Sequence, residues 1–318
     1  MDLTPRIPYS DVLGGGESAR GIHRLLTVPF EVMYALRYWR GLRMRYDKVY
    51  RLEGTLFHIS AGTIAAEQMV KGGRPPPPWF TEKKPDGSPV TLLDRLEEAG
   101  VGFPEEVRNA LDFADYYRAA TIGERFEVIA PERELSVELG WLPEIAAEAK
   151  RRGLDKEIVT TRPDWIGLEN GLLYGIDYKS TRNTRGPELP AWRSADNEYE
   201  LSPQMIFQER ALRLAYGAEN VGGVLIRRLK KNRPFFYDTQ PLNLPAHMHE
   251  TVAWQILNLV DRERDLRARL ARGEKPASCL GLKCQHQYGA CDYVNVCKSR
   301  GATLKLVVAT EFKREMPK

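Results

Sequence analysis

The sequence predicts an α/β fold, a central mixed sheet flanked by helices. Two observations carry this prediction. Along the chain, segments of helical and strand character follow in the order helix, strand, hairpin, helix, strand, helix, which suits a sheet with helices on its faces. Between two apolar runs stands Asn170-Gly171. It is the strongest short hairpin signal, because a two-residue type I′ turn needs positive φ at both positions. The chain has 318 residues, enough for one large domain or two modest ones. Its 42% hydrophobic and 28% charged content is ordinary for a globular protein.

Taken in order, Arg20 to Tyr46 reads as mostly helix, with Pro29 at a start or kink and an apolar stripe of Phe30, Met33, Tyr34 and Leu36. A second helix starts near Leu56, runs through Ala61, Ile64, Ala65 and Met69, and ends at Gly72-Gly73. Pro75 to Pro78 reads as a stiff linker, with an SH3-like ligand as the rival reading. Asp94 to Tyr117 is a helical insert, within a region of about 75–120. Phe126 to Leu139 reads as one strand, with Val128, Leu135 and Val137 as its apolar positions. Glu157 to Glu169 and Leu172 to Thr181 form the hairpin. Arg182 to Leu201 is polar and reads as a loop. Pro203 to Ala215 is a helix, Val221 to Arg228 a strand, Phe235 to Asp238 a short strand, and His247 to Gly273 a long amphipathic helix ending at Gly. The expected division is a domain over 1–274 and a cysteine-rich tail over 275–318 packed on it.

If Asn170-Gly171 is the loop, Glu169 faces Leu172, Asp164 faces Asp177 and Arg162 faces Lys179. Directly opposed residues share a sheet face with Cβ atoms about 5 Å apart. Asp177 and Lys179, two apart, share that face as well. Two carboxylates so placed repel unless positive charge sits between them. A divalent cation gripped by Asp164 and Asp177, with the Lys179 ammonium beside it, is the economical explanation. Hard oxygen ligands suit Mg²⁺ or Mn²⁺.

No apolar run approaches the roughly 20 residues needed to span a bilayer, and Met1 to Gly16 has no apolar core of a secretion signal. The four cysteines all fall within Cys279–Cys297, as Cys279-x4-Cys284-x6-Cys291-x5-Cys297. Such clustering points to metal in a reducing, cytoplasmic compartment rather than to a disulfide scaffold. Four thiolates imply a closed four-ligand structural site, with His286 a further candidate ligand. Zinc is one occupant, although its structural sites favour shorter knuckles.

The segments Arg162-Pro163-Asp164 and Asp177-Tyr178-Lys179 resemble the PD-(D/E)xK nuclease motif. The surroundings resemble its RecB-like branch, which includes AddB nuclease domains and CRISPR-associated RecB-like exonucleases. In that branch a G-x-x-x-H element precedes the sheet, here Gly54-Thr55-Leu56-Phe57-His58. A helix after D-x-K carries Q-x-x-x-Y; here the Gln is Gln204 and the Tyr position is Gln208. The resemblance implies a restriction-endonuclease-like core and a metal-dependent DNA nuclease, in the first instance an exonuclease. Its setting would be recombination, repair, replication, a phage or CRISPR-type processing, with recombination or CRISPR-adaptation proteins as partners. The implied catalytic residues are Asp164, Asp177, Lys179 and Gln204. The implied metal ligands are His58, Asp164, Asp177 and the backbone carbonyl of Tyr178. Glu134 stands where related nucleases often carry Glu, and Ser180 and Thr181 resemble the hydroxyl residues that follow D-x-K. The segment Cys291 to Cys297 resembles the relatives' C-x-Y-x-x-x-C end, which implies a 4Fe-4S cluster. Val28 stands where those relatives place their N-terminal cysteine, so Cys279 would supply that ligand locally.

The formal charge of +4 permits an acidic partner without demanding one. Candidate DNA contacts are Arg182, Arg185, Arg227 and Arg228, with Arg40, Arg43, Arg45, Lys230 and Lys231 in support. Trp192 or Tyr199 could stack on an unpaired base. The rival reading is a DNA-binding or scaffold subunit whose nuclease site is idle.

Overall fold

The structure is a computed structural model, and it describes residues 9–10, 19–26, 42–44, 49–124, 126–181, 199–274, 285–286, 289–290 and 312–314. The chain divides into two compact units interleaved in sequence. One comprises Met1–Leu13, Lys48–Val137 and Thr160–Val252; the other comprises Gly14–Asp47, Glu138–Val159 and Ala253–Lys318.

The described elements begin with β1 (Tyr9–Ser10), β2 (Ala19–Gly21), α1 (Ile22–Leu25) and β3 (Leu42–Met44). Next come α2 (Val49–Lys71), α3 (Leu92–Ala99) and α4 (Pro104–Ala120). Then follow β4 (Glu127–Pro131), β5 (Glu134–Glu138), α5 (Ala146–Arg151) and β6 (Ile158–Thr161). The hairpin strands β7 (Trp165–Glu169) and β8 (Leu172–Thr181) precede α6 (Pro203–Tyr216), β9 (Val221–Lys230), β10 (Phe236–Pro241) and α7 (His247–Ala271). Three short strands close the order: β11 (Gln285–His286), β12 (Gly289–Ala290) and β13 (Phe312–Arg314).

The first unit is built on a five-stranded sheet of order β10-β9-β8-β7-β4. Only the β8–β9 pair is parallel; the other three pairs are antiparallel. A parallel pair cannot be joined by a tight turn, and α6 lies in the crossover. The expected mixed sheet with flanking helices is therefore present. Asn170 at φ 51° and Gly171 at φ 79° make the tight turn, and the register Glu169↔Leu172 to Trp165↔Ile176 is the one counted from the sequence.

Gly72-Gly73 ends α2, with Gly73 at φ 79°, as its composition requires. The helix starts earlier than Leu56, and Leu52 of its first turn joins Leu56 in the buried core. Thr91 and Asp94 form a reciprocal capping box on α3, and Pro104 opens α4 where its missing N–H costs nothing. On the inner side of α2 and α4, Phe57 stacks on Phe113 at 4.4 Å, and Phe113 on Tyr117 at 5.4 Å. These rings join Trp165, Ile176 and Leu225 of the sheet in one buried core.

Two expectations about strands need correction. Glu157 to Glu169 is not one hairpin arm: β6 (Ile158–Thr161) belongs to a different sheet from β7 (Trp165–Glu169). Phe126 to Leu139 is not one strand: Glu132 takes φ 49°, which breaks the run into β4 and β5. Of Arg20 to Tyr46, the described residues include the helix Ile22–Leu25 and a strand, Leu42–Met44, paired antiparallel with Phe312–Arg314. The pairing with a distant segment outweighs local propensity there. Within the second unit, Arg152 at the end of α5 bonds Glu148, and also Asn258 and Asp261 of α7. Among the described residues no helix is long and apolar enough to cross a membrane.

Helix α6 carries a buried ionic group of the first unit. Glu209, on its inner side, accepts from Arg213 at 2.6 and 2.8 Å and lies 3.2 Å from His249 Nε2. Burial pushes its carboxyl up, but His249 and Arg213 outweigh this and hold it below the usual glutamate range. A carboxyl depressed in the folded state contributes stability above its unfolded pKa of about 4.3. That contribution is lost as pH falls through the lower folded value. Urea titrations are expected to show Glu209→Gln destabilised at pH 7, by about 1–3 kcal/mol, and the gap to wild type closing below about pH 4. A gap independent of pH would remove the charge-based account.

Candidate functional site

The site assembles on β8 and the segment that leads into β7. Alternation along β8 puts Gly175, Asp177 and Lys179 on one face and Ile176, Tyr178 and Ser180 on the other. Helix α6 covers the first face: a Cβ on Gly175 would come 2.6 Å from Leu212 and 3.2 Å from Gln208 Nε2. Helix α2 packs on the sheet beside the second. Its Gly54, His58 and Gly62 recur every four residues and so form one stripe. A Cβ on Gly54 would already lie 3.3 Å from Ser180 Oγ, and one on Gly62 4.0 Å from Glu132 Oε1. The glycines let the helix lie close to the sheet, and this presents His58 to it.

Asp164 is the hub. One oxygen accepts the Tyr178 backbone N–H, and the other lies 3.6 Å from His58 Nδ1. The backbone around it is pinned too, because its carbonyl accepts from Glu132 N–H at 2.8 Å. Asp177 is 5% exposed in its side chain, and its Oδ2 is in ion-pair contact with Lys179 Nζ. The Lys179 ammonium also lies 5.8 Å from the Tyr199 ring centroid. His58 meets the Tyr178 ring edge-on at 5.8 Å. Below it, the Tyr178 hydroxyl reaches the Ala61 carbonyl at 3.4 Å and Tyr117 Oη at 3.5 Å.

The charges of this group are mutually dependent. Burial raises the Asp177 carboxyl and the Asp164 charge adds to it, outweighing Lys179 and His58, so its pKa is raised. Asp164 goes the other way: burial would raise it, but His58, Lys179 and the Tyr178 N–H outweigh burial and lower it. His58 and Lys179 are both raised, because the neighbouring carboxylates outweigh the desolvation that would lower them. The cluster thus holds two acids of opposite tendency beside an ammonium and an imidazole, a pattern common at functional sites.

Two carboxylates and an imidazole are a hard-oxygen and nitrogen donor set that suits Mg²⁺ or Mn²⁺. In this arrangement their contacts go to one another and to Lys179. Among the described residues no three His, Cys, Asp or Glu side chains converge as a metal cage. A cation would replace the His58–Asp164 and Lys179–Asp177 contacts.

No family model matches this chain. No curated protein matches it either. Among solved structures it is similar to one described as "Crystal structure of SSO0001", at 11% identity and a TM-score of 0.34, over 78% of this chain and 79% of that one. A similarity at that level carries no argument about fold or activity.

His58, Asp164, Asp177 and Lys179 are brought together, and Tyr178 lies among them. Gln204 sits in the first turn of α6, partly buried, and among the described residues no hydrogen bond joins it to Lys179. The glutamine packed against β8 is Gln208, fully buried, with neither amide atom bonded to a described group. A buried unpaired amide costs stability. Gln208→Met keeps the volume and removes the polar atoms, and is expected to raise stability by about 1–2 kcal/mol in urea titration. A lower midpoint would mean that the amide is bonded after all.

Glu132, two positions before Glu134, is an acid beside this cluster. It shares a cavity wall with His58, and burial, opposed by Arg162 and reinforced by Asp164, raises its carboxyl. Glu132 sits at the strand break, at φ 49°. Arg227 and Arg228 also need correction as DNA contacts. They are 1% and 3% exposed. Arg227 donates to Tyr117 Oη at 2.6 Å, Glu124 at 3.0 Å and Thr239 at 2.8 Å, and its guanidinium lies 5.0 Å from the Trp165 ring. Arg228 is held by Asp238 at 2.8 and 3.1 Å. Lys230 and Lys231 are likewise buried, Lys231 lying 3.7 Å from Glu53. Arg182, Arg185, Trp192, Arg40, Arg45, Val28 and the four cysteines lie outside the described residues. Arg43 and His286 are described in backbone only.

Proposed function

We propose that this chain is a metal-dependent DNA nuclease of the PD-(D/E)xK, RecB-like type, acting as an exonuclease. The observation that supports this reading is the meeting of His58, Asp164, Asp177 and Lys179 from α2, the entry to β7 and β8. Phosphodiester hydrolysis needs charge neutralised at the phosphoryl group and a water made nucleophilic. Asp164, Asp177 and His58 would hold Mg²⁺ or Mn²⁺, with the Tyr178 carbonyl as a further oxygen. The bound ion would supply Lewis acidity and a more acidic water. Lys179, kept protonated by the two carboxylates, orients that water or steadies negative charge on the phosphate. The Tyr178 N–H fixes the Asp164 carboxylate, so the acid does not have to reorganise during the reaction. In the tail, Cys279, Cys284, Cys291 and Cys297 would hold a 4Fe-4S cluster or zinc as a structural staple.

The test is degradation of linear DNA in Mg²⁺ or Mn²⁺. Lys179→Ala is expected to lower the rate by about 10²–10³-fold, the usual loss for a group that stabilises transition-state charge. An unchanged rate in this variant would leave the binding-subunit reading in its place.

A further inference from the structure

Next to the acidic cluster lies a cavity of about 470 Å³, lined by His58, Thr63, Trp79, Arg95, Glu98 and Glu132 among others. Its size falls in the range of about 300–1,000 Å³ usual for small-ligand pockets. We propose that it is a subsite for an unpaired nucleobase bearing an exocyclic amine, next to the phosphate that is cut. This inference rests on the nuclease reading, because His58 is common to the cavity and the cluster.

The lining chooses a base over a phosphate. Among the described lining residues Arg95 is the one arginine or lysine, and it is already engaged. Its guanidinium donates to the Trp79 carbonyl and to Glu82 at 3.2 Å, and lies 5.2 Å from the Trp79 ring centroid. Glu82, Glu98 and Glu132 all line the same space. Such a wall repels a phosphodiester. A neutral planar base meets the indole of Trp79, and base–aromatic stacking tolerates any ring. Carboxylates accept hydrogen bonds from amines such as cytosine N4, and thymine has no exocyclic amine to offer. A base in a walled cavity is out of the helical stack, so the strand it belongs to is single or frayed at that point. The backbone then stays toward Lys179.

The experiment measures binding of labelled single-stranded dC10 and dT10 to the full-length protein by anisotropy, with Ca²⁺ in place of Mg²⁺. Wild type is expected to bind dC10 at least about fivefold more tightly than dT10, and Trp79→Ala to weaken dC10 about tenfold. Glu98→Ala, at an exposed position, is expected to bring dC10 and dT10 to similar affinity, with a thermal melt checking that it folds. Trp254→Ala, on α7 and outside the cavity lining, serves as the control. Equal binding of dC10 and dT10 by wild type, or wild-type affinity in Trp79→Ala, would overturn the base site. Cleavage of the same strands in Mg²⁺ is read separately. Selective binding without cleavage overturns the nuclease reading and keeps the base site; cleavage without selectivity does the reverse.

Discussion

Asp177→Asn is expected to lower Mg²⁺- or Mn²⁺-dependent DNA cleavage by about 10³-fold while the melting temperature holds or rises. Metal-assisted stabilisation of a phosphoryl transition state is worth several kcal/mol, and each 1.36 kcal/mol is about tenfold in rate. Loss of one carboxylate from a pair removes most of the grip. The stability half follows from sign. The Asp177 carboxyl is raised by burial and by the Asp164 charge, so its ionised form costs folding free energy at neutral pH. The neutral amide removes that cost and gives up the Lys179 pair. Functional sites commonly trade stability for activity in this way. Cleavage assays and thermal melts on one preparation test both halves. Wild-type cleavage would dispose of the metal-ligand role, and a collapse in melting temperature would show that Asp177 is structural.

Arg227→Ala is expected to cost about 3–5 kcal/mol of folding stability, the usual penalty for breaking a buried ion pair from one side. That is a large part of the roughly 5–15 kcal/mol that holds a typical domain together. The guanidinium is 1% exposed and satisfies Tyr117, Glu124 and Thr239 at once. Its removal leaves a cavity beneath Trp165 and takes the ion-pair partner from the Glu124 carboxylate, which keeps its bond from the Tyr237 hydroxyl. Arg227→Met with Glu124→Gln keeps the volume and takes away both charges, so it is expected to recover most of the loss. Urea denaturation of the single and double variants makes the comparison. If Arg227→Ala unfolds at the wild-type midpoint but binds DNA less tightly, Arg227 is a contact residue after all.

The hairpin was readable because its determinants are local. Asn170-Gly171 sets the turn, the turn sets the register, and the register brings Asp164 and Asp177 together. His58 came from a motif, and its physical basis is the close approach that Gly54 and Gly62 permit. The arginines were misread because charge in a sequence says nothing about burial. Arg227 follows the apolar run Val221 to Ile226 on a strand that is covered almost throughout, and its partners come from α4 and β10. Glu132 was hidden for another reason. A non-glycine residue at positive φ has no strong sequence signal, so the break it makes in the strand could not be seen beforehand. Gln208 stands at the Tyr position of the motif, and helical spacing alone does not tell which of two residues a turn apart, Gln204 or Gln208, meets the sheet.

The two acids and the imidazole come from chain distances of very different scale. Tyr178, which fixes Asp164, is 14 positions from it, whereas His58 belongs to a helix that ends before the insert begins. Closing a short hairpin costs little entropy and is fast, on the order of microseconds. The acidic half of the centre can therefore exist in a nascent or partly opened chain in which the imidazole half has yet to arrive. Completeness of the cluster would then report on completion of the long-range packing, so that an immature polypeptide carries the acidic half without the imidazole.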